Sequence, residues 1–196
     1  MNKNALNHTV LKNRGSFGKR FADLAILDEK VFHADDLANL WVIPNKATLR
    51  TTLSRYVKRG LLHRIYKGMY SILPPSEINP EFLGIKALHG PAYISCETIL
   101  FEKGIINQSP QVITLISSFS RRFNIAGRWY ASRKMADRFL MNDTGIETNN
   151  GIRRASTARA IADMLYYLPT KYFDNPHIDR NAVRALIHAV GYPVTI

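Results

Sequence analysis

Apolar residues recur at helical spacing three times in the first sixty residues, which predicts three amphipathic helices. The apolar faces comprise Phe21, Leu24, Ala25 and Leu27 in the first helix, Leu37, Leu40 and Trp41 in the second, and Leu49, Leu53, Tyr56 and Val57 in the third. Pro44 cannot continue the second helix, and Asn45 is a favourable N-cap for the third. Gly60 is placed to end that third helix.

Short β-rich pieces separate and follow these helices. "KVFH" (30–33) is a short extended segment between the first two, and "LLHRIYKGMYSIL" (61–73) is a longer β-rich run. The Lys67-Gly68 dipeptide inside that run suits a tight hairpin turn. The order helix, strand, helix, turn, helix, hairpin is typical of a winged helix-turn-helix, which we predict for residues 1–75.

The proline-rich segment 73–80 marks a predicted domain boundary, and residues 76–196 form the second predicted domain. Its pattern predicts two helices over 80–104 joined by a short extended piece, and then a strand in "QVITLIS" (111–117). Two hairpins follow, in 123–134 and 145–156, the second turning at Asn150-Gly151. Ser156 caps a helix, and a last helix is closed by Gly191. The predicted fold class is therefore α+β, with a winged helix-turn-helix followed by a mixed α/β domain.

Composition adds a strong positive charge to this picture. The 196 residues carry a formal net charge of +12, with 46% hydrophobic and 21% charged residues, so the chain is globular and suits an anionic partner. No Asp or Glu occurs in residues 37–76. The single cysteine excludes an internal disulfide, and we expect a cytoplasmic protein because the sequence shows neither a signal peptide nor a membrane-spanning run.

The third predicted helix and the hairpin form the first candidate DNA-binding surface. Opposite its apolar face the helix carries short hydroxyl side chains and cations, which suit base edges and phosphates in a major groove. The candidate residues are Lys46, Thr48, Arg50, Thr51, Ser54, Arg55 and Lys58 on the helix, and Arg64 and Lys67 on the hairpin. A solvated basic face and a docking site for an acidic protein are the alternatives.

A second stretch without acidic residues, 103–136, is a further candidate nucleic-acid surface. Its candidate cations are Arg121, Arg122, Arg128, Arg133 and Lys134. Four aromatic residues are interleaved with them: Phe119, Phe123, Trp129 and Tyr130. The alternatives are a basic hairpin whose aromatic residues belong to the core, and a surface for an acidic partner.

Three motifs resemble those of the AbiEi-type antitoxins, which are winged-helix transcriptional regulators of bacterial type IV toxin–antitoxin (abortive infection) systems. The pattern L-x-R-x-x-K-G-x-Y is matched by Leu62, Arg64, Lys67, Gly68 and Tyr70. The pattern Y-x-S-x-E-(T/A)-x-L-x-x-x-G is matched by Tyr93, Ser95, Glu97, Thr98, Leu100 and Gly104. The pattern S-x-x-R-A-x-x-D is matched by Ser156, Arg159, Ala160 and Asp163. The resemblance covers roughly residues 20–170.

This resemblance implies an antitoxin that represses its own operon by binding inverted repeats in its promoter. The first implied partner is therefore double-stranded DNA. The second implied partner is a nucleotidyltransferase-like toxin, which such antitoxins need not hold in a stable complex. Self-association on DNA is a further expectation. A winged-helix regulator without a toxin, and an enzyme acting on nucleic acid that is targeted by its winged helix, are the alternative functions.

Catalytic and metal-binding patterns are weak, so we expect a protein that is not an enzyme and uses no cofactor or metal. The sequence has neither a glycine-rich phosphate loop nor a zinc-binding cluster. His177 and Asp179 are typical of loop and capping positions. Cys96, at the start of a predicted helix, is either a thiol of lowered pKa or a small buried residue. Glu97, Arg159 and Asp163 are expected to form a buried structural ion cluster.

Overall fold

The fold was obtained as a computed structural model, which describes residues 18–194 except residues 25 and 28. The chain divides into two compact units, Met1–Glu77 and Ile78–Ile196. The boundary predicted from sequence lies two residues earlier, in the same proline-rich segment. Helices and sheets occur in both units, so the prediction of an α+β fold is confirmed.

The described part of the N-terminal unit, from residue 18 on, contains three helices and a three-stranded antiparallel sheet. Its helices are α1 (18–26, residue 25 apart), α2 (Ala34–Leu40) and α3 (Lys46–Lys58), and its strands are β1 (Val31–His33), β2 (His63–Tyr66) and β3 (Met69–Ser71). The sheet order is β1-β3-β2, because β3 pairs with both other strands. Lys67 and Gly68 form the turn between β2 and β3, as the sequence predicted.

The core of the N-terminal unit lies between its three helices. Leu24, Leu37 and Leu53 are buried there, and Trp41 stacks on Tyr56 with ring centroids 5.2 Å apart. The predicted apolar face of α3 is therefore confirmed. Two predicted core positions are wrong, because Leu27 follows the end of α1 and Leu40 points outward, and both are exposed. Ala25 lies outside the described residues.

The turn between α2 and α3 contains a valine in a conformation that favours glycine. Val42 has φ 52°, and its side chain is 83% exposed. Its N–H donates to the Asn39 carbonyl, and the Ile43 N–H donates to the Ala38 carbonyl. This is the Schellman pattern of a helix end. Helices that end in the same way farther along the chain place Gly60, Gly104 and Gly191 at the equivalent position.

We therefore expect Val42→Gly to raise the free energy of unfolding of the N-terminal unit by about 1 kcal/mol. A left-handed backbone costs a non-glycine residue about 1–2 kcal/mol, and part of the gain is offset by the greater freedom of glycine in the unfolded chain. Urea unfolding followed by the fluorescence of the buried Trp41, in a Trp129→Phe background that removes the second tryptophan, measures the change. Val42→Ala is the control, since it keeps Cβ and should gain less. A glycine variant no more stable than wild type would contradict the account.

The C-terminal unit is built on a six-stranded mixed sheet. Its strands are β4 (Ala92–Ile94), β5 (Ile113–Ser117), β6 (Arg121–Ile125), β7 (Arg128–Lys134), β8 (Ile146–Asn149) and β9 (Ile152–Ala155). Its helices are α4 (Pro80–Ala87), α5 (Glu97–Glu102), α6 (Asp137–Leu140), α7 (Thr157–Tyr167) and α8 (Arg180–Val190). Both predicted hairpins are present, one turning at Ala126-Gly127 and the other at Asn150-Gly151.

The sheet order is β6-β7-β5-β4-β9-β8. The neighbours β5 and β7 are parallel, as are β4 and β9, and the other pairs are antiparallel. Helix α4 packs closely on one face of the sheet at Gly84, where an added Cβ would lie 2.7 Å from the Tyr130 ring. Helices α5 and α7 contact each other. Across the described parts of both units, no helix has the length and apolar content needed to cross a membrane.

Candidate nucleic-acid interface

Helix α3 presents an exposed polar face opposite its buried residues. Asn45 fixes the start of the helix, because its Oδ1 accepts hydrogen bonds from the backbone N–H groups of Ala47 (2.9 Å) and Thr48 (3.0 Å). Every candidate residue of this helix is exposed: Lys46, Thr48, Arg50, Thr51, Ser54, Arg55 and Lys58. Positions 51, 54, 55 and 58 lie on one side because they are three or four residues apart.

Two of these side chains have neighbours that change what they offer to a ligand. The Thr51 hydroxyl donates to the Ala47 carbonyl at 3.0 Å, so its methyl group and oxygen lone pairs remain for an outside contact. Lys46 lines a cavity of about 480 Å³ together with Asp35 of α2, so a carboxylate lies near that cation. The remaining cations of this face, Arg50, Arg55 and Lys58, come from a stretch without acidic residues.

The β2–β3 hairpin carries two further candidate cations. Arg64 on β2 and Lys67 in the turn are both exposed, and Arg64 pairs in register with Tyr70. The Gly68 carbonyl accepts a 2.8 Å hydrogen bond from the Ala34 N–H, which ties the turn to the start of α2. The hairpin is therefore held against the helical part of its own unit.

The five candidate cations of the C-terminal unit do not share one face of the sheet. Pairing of β6 with β7 places Arg122 opposite Ala131, and Arg133 lies two residues farther on the same face. Arg121, Arg128 and Lys134 project from the other face, since side chains alternate along a strand. Arg133 is also half-buried and paired with Glu97. The structure thus divides the predicted second surface between two faces of the sheet.

The aromatic residues of this stretch divide into core and surface. Phe123 and Tyr130 are buried and stacked, with centroids 5.0 Å apart and an interplanar angle of 8°. Phe119 is 38% exposed and Trp129 is 48% exposed. The Arg122 guanidinium lies over the Trp129 ring, 5.4 Å from its centroid. Two of the four rings are therefore exposed, and of these two Trp129 is the more exposed and has a candidate cation over its ring.

Two of the three motifs meet in a buried cluster centred on Arg159 and Asp163 of α7. Both side chains are fully buried, and the Arg159 Nε donates to Asp163 Oδ1 at 2.9 Å. All five guanidinium N–H donors have partners 2.8–3.0 Å away: Asp163, the Tyr93 hydroxyl, and the carbonyls of Phe139, Asn142 and Thr144. The second Asp163 oxygen accepts the Ser95 hydroxyl at 2.6 Å, and the Tyr192 hydroxyl also donates to this carboxylate.

The protonation states in this cluster follow from burial and charge. Burial opposes the charge on Arg159, yet the facing Asp163 carboxylate leaves the pKa of the guanidinium above its ordinary value. Burial raises the pKa of the Asp163 carboxyl, while Arg159 and the Ser95 hydrogen bond act to lower it. Burial also raises the pKa of the Tyr192 hydroxyl, which stays a donor. With every polar atom paired, the cluster fits a structural role.

Glu97 is not part of this buried cluster, so that expectation was wrong. Its carboxylate pairs with Arg133 and accepts a 3.2 Å hydrogen bond from the Thr114 hydroxyl. The three side chains line a cavity of about 470 Å³, which we call the Arg133 cavity. Met164 and Lys171 line it from the side of α7 and the segment that follows. Spacing along the sequence could not reveal this pair, because Glu97 on α5 and Arg133 on β7 become neighbours only in the folded unit.

Cys96 is a buried residue and not an activated thiol. Its side chain is fully buried between β4 and α5, and burial raises the pKa of the thiol well above its ordinary value. Its backbone adopts φ 51° and ψ −131°, a region that L-residues rarely occupy. Of the two alternatives drawn from sequence, burial as a small residue is confirmed.

Metal-binding geometry is not found in the described part of the chain. No group of three or more His, Cys, Asp or Glu residues among residues 18–194, positions 25 and 28 apart, is arranged to hold a metal ion. His177 and Asp179 lie in the loop before α8, where the Asp179 side chain caps the helix by accepting from the Ala182 N–H at 2.9 Å.

Comparison with known proteins yields a similarity of fold. No family model matches the chain, and no curated protein is significantly similar to it in sequence. Among solved structures, the chain is similar to the crystal structure of the RV2827C protein from Mycobacterium tuberculosis, with a TM-score of 0.53 and 11% sequence identity. The similarity covers 88% of this chain and 71% of that one. The architecture described above is therefore shared with a solved protein.

Proposed function

We propose that the N-terminal unit is a winged helix-turn-helix that binds duplex DNA and represses transcription. In this arrangement α3 enters the major groove, and the β2–β3 hairpin lies against the phosphate backbone. Thr51, Ser54 and Arg55 face the base edges. Arg64 and Lys67 contact phosphates, which position the protein without reading sequence.

The observation that carries this proposal is the set of exposed cations on α3 and the hairpin, in a stretch of chain without acidic residues. An ordinary solvated helix face mixes charges of both signs, because neighbouring like charges repel. Here the chain has no acidic residue from 37 to 76, and the exposed side of α3 combines four cations with short hydroxyl side chains. The sheet order β1-β3-β2 and the Lys67-Gly68 turn also suit a wing.

Lys67→Ala should make duplex binding less dependent on salt. Each phosphate contact contributes about 0.9 to the slope of log K against log salt concentration, so the slope should fall by about one. Fluorescence anisotropy with a labelled duplex, titrated at several salt concentrations, measures it. Lys30→Ala is the matched control, since Lys30 is exposed next to β1 at the opposite end of the sheet from the turn. Equal slopes for wild type and Lys67→Ala would contradict a contact between the hairpin and the DNA.

We also propose that the protein counteracts a nucleotidyltransferase-like toxin, as an AbiEi-type antitoxin. What supports this part is the set of three sequence motifs, two of which contribute to the Arg159–Asp163 cluster. The test is co-expression of the chain with the neighbouring reading frame. Growth rescue by the chain, retained in a Thr51→Ala/Arg55→Ala variant, would separate neutralisation from DNA binding. Unarrested growth when that neighbour is expressed alone would contradict the proposal.

A further inference from the structure

The Arg133 cavity and the Trp129 side chain adjoin each other on the same face of the six-stranded sheet. Thr114 of β5 and Ala131 of β7 are register partners and form the floor of the cavity together with Arg133. Trp129 precedes Ala131 by two residues on β7, so its side chain leaves the same face. Segment 109–112 lines the cavity and also a second one of about 310 Å³ that contains Trp129. The indole therefore lines a second cavity, which shares segment 109–112 with the Arg133 cavity.

The charges of the cavity suit one phosphodiester group. Its ionisable lining residues are Glu97, Arg133 and Lys171. One carboxylate and two cations leave a net charge of +1. Arg133 is already paired with Glu97, whereas Lys171 is exposed and has no ion pair with any described residue. A ligand group with one negative charge would therefore neutralise the net charge of this lining.

The neutral lining of the cavity suits the edge of a nucleobase. Asn107, Gln108 and Gln111 place side-chain amides at its wall, and an amide both donates and accepts hydrogen bonds. A base edge presents donors and acceptors in the same way, and a volume of about 470 Å³ lies in the range of ligand pockets. The side chain of Trp129 is 48% exposed, and the Arg122 guanidinium lies over its ring. The exposed part of the indole supplies an aromatic surface for stacking.

We propose that this face of the C-terminal unit binds an unpaired nucleotide within a single strand of nucleic acid. The base of this nucleotide stacks on Trp129 and presents its edge to the amides of the Arg133 cavity, and Lys171 pairs with its phosphate. Arg122, which lies opposite Ala131 on the edge strand β6, carries the strand onward. This site is separate from α3 and does not depend on duplex binding by the N-terminal unit.

The test is the affinity of the full chain for labelled single strands of about 12 nucleotides, oligo(dT) and oligo(U), measured by anisotropy at physiological salt. Trp129→Ala should weaken binding by roughly 5- to 100-fold, because base stacking on an aromatic ring is worth that much. Trp129→Phe should lose less, and Lys171→Ala should flatten the salt dependence. Phe119→Ala is the matched control, since it removes an exposed aromatic at the opposite end of β5 and should leave affinity unchanged.

A second readout keeps the outcome specific to this site. Single strands should quench the emission of wild type but not of Trp129→Phe, whose remaining Trp41 is buried in the other unit. The loss in Trp129→Ala should persist in a Thr51→Ala/Arg55→Ala background and should be absent for duplex DNA. Equal losses in Trp129→Ala and Phe119→Ala, or no loss in either, would overturn the proposal. If an equal concentration of free mononucleotide displaced the labelled oligonucleotide, the site would bind free nucleotides and not a nucleotide within single-stranded nucleic acid.

Discussion

Asp163→Ala is expected to lower the free energy of unfolding of the C-terminal unit by about 3–5 kcal/mol. The substitution leaves the Arg159 guanidinium buried and charged without its counter-ion. Ser95 and Tyr192 lose their acceptor at the same time. The neutral carbonyls of Phe139, Asn142 and Thr144 remain, and they do not replace a negative charge. A buried cation without a partner is among the most destabilising changes that one substitution produces.

The single cysteine provides the measurement for this prediction. Cys96 is fully buried, so a thiol reagent reacts with it only when the C-terminal unit opens. Labelling as a function of urea should show its midpoint at clearly lower urea in Asp163→Ala than in wild type. Asp174→Ala removes an exposed carboxylate of the same unit and should leave the midpoint in place. A shift in Asp163→Ala no larger than in this control would contradict a structural role for the cluster.

Thr51→Ala combined with Arg55→Ala is expected to cost specific duplex binding about 1–3 kcal/mol for each base that the helix no longer reads. Arg55 is exposed, and its guanidinium can donate two hydrogen bonds to the edge of a guanine. The methyl group of Thr51 can make an apolar contact with the methyl group of a thymine. Because Lys58, Arg64 and Lys67 remain, weak binding to unrelated duplexes should survive. The effect should therefore fall on specificity and not on overall charge attraction.

The matched control for this double variant is Thr148→Ala combined with Arg184→Ala. It removes the same two residue types, and so the same charge, from exposed positions in β8 and α8 of the C-terminal unit. Duplex affinity should stay near that of wild type in the control. Circular dichroism should show that both double variants remain folded. Equal weakening in the two would indicate that net charge, and not the face of α3, governs binding.

Local patterns were sufficient to predict most of the N-terminal unit. The apolar spacing of α3, the Asn45 cap and the Lys67-Gly68 turn each depend on residues only a few positions apart. A short stretch of sequence is therefore enough to predict each of them. Leu27 was placed wrongly because the helical pattern continues past the actual end of α1. The short helix α6 was missed, since four residues carry no periodicity.

The candidate sites of the C-terminal unit depend on pairings that sequence spacing does not encode. Helix α5 packs on β5, and β5 pairs with β7, which brings Arg133 of β7 beside Glu97 of α5, across 36 residues. Strand alternation separates Arg121 from Arg122, although they are adjacent in sequence. Tyr192 reaches Asp163 from beyond α8, a region without a recognised motif. The division of Trp129 and Tyr130 into surface and core likewise became clear only with the sheet.

The most direct test of the central proposal, sequence reading by α3, is the specificity ratio of duplex binding. The affinity of the full chain for the duplex upstream of its own reading frame is divided by its affinity for a scrambled duplex of equal length and composition, at one fixed salt concentration. We predict a ratio of about 10³ or more for wild type and a large fall in Thr51→Ala/Arg55→Ala, with scrambled-duplex affinity unchanged. A wild-type ratio near one, or an unaltered ratio in the variant, would contradict it.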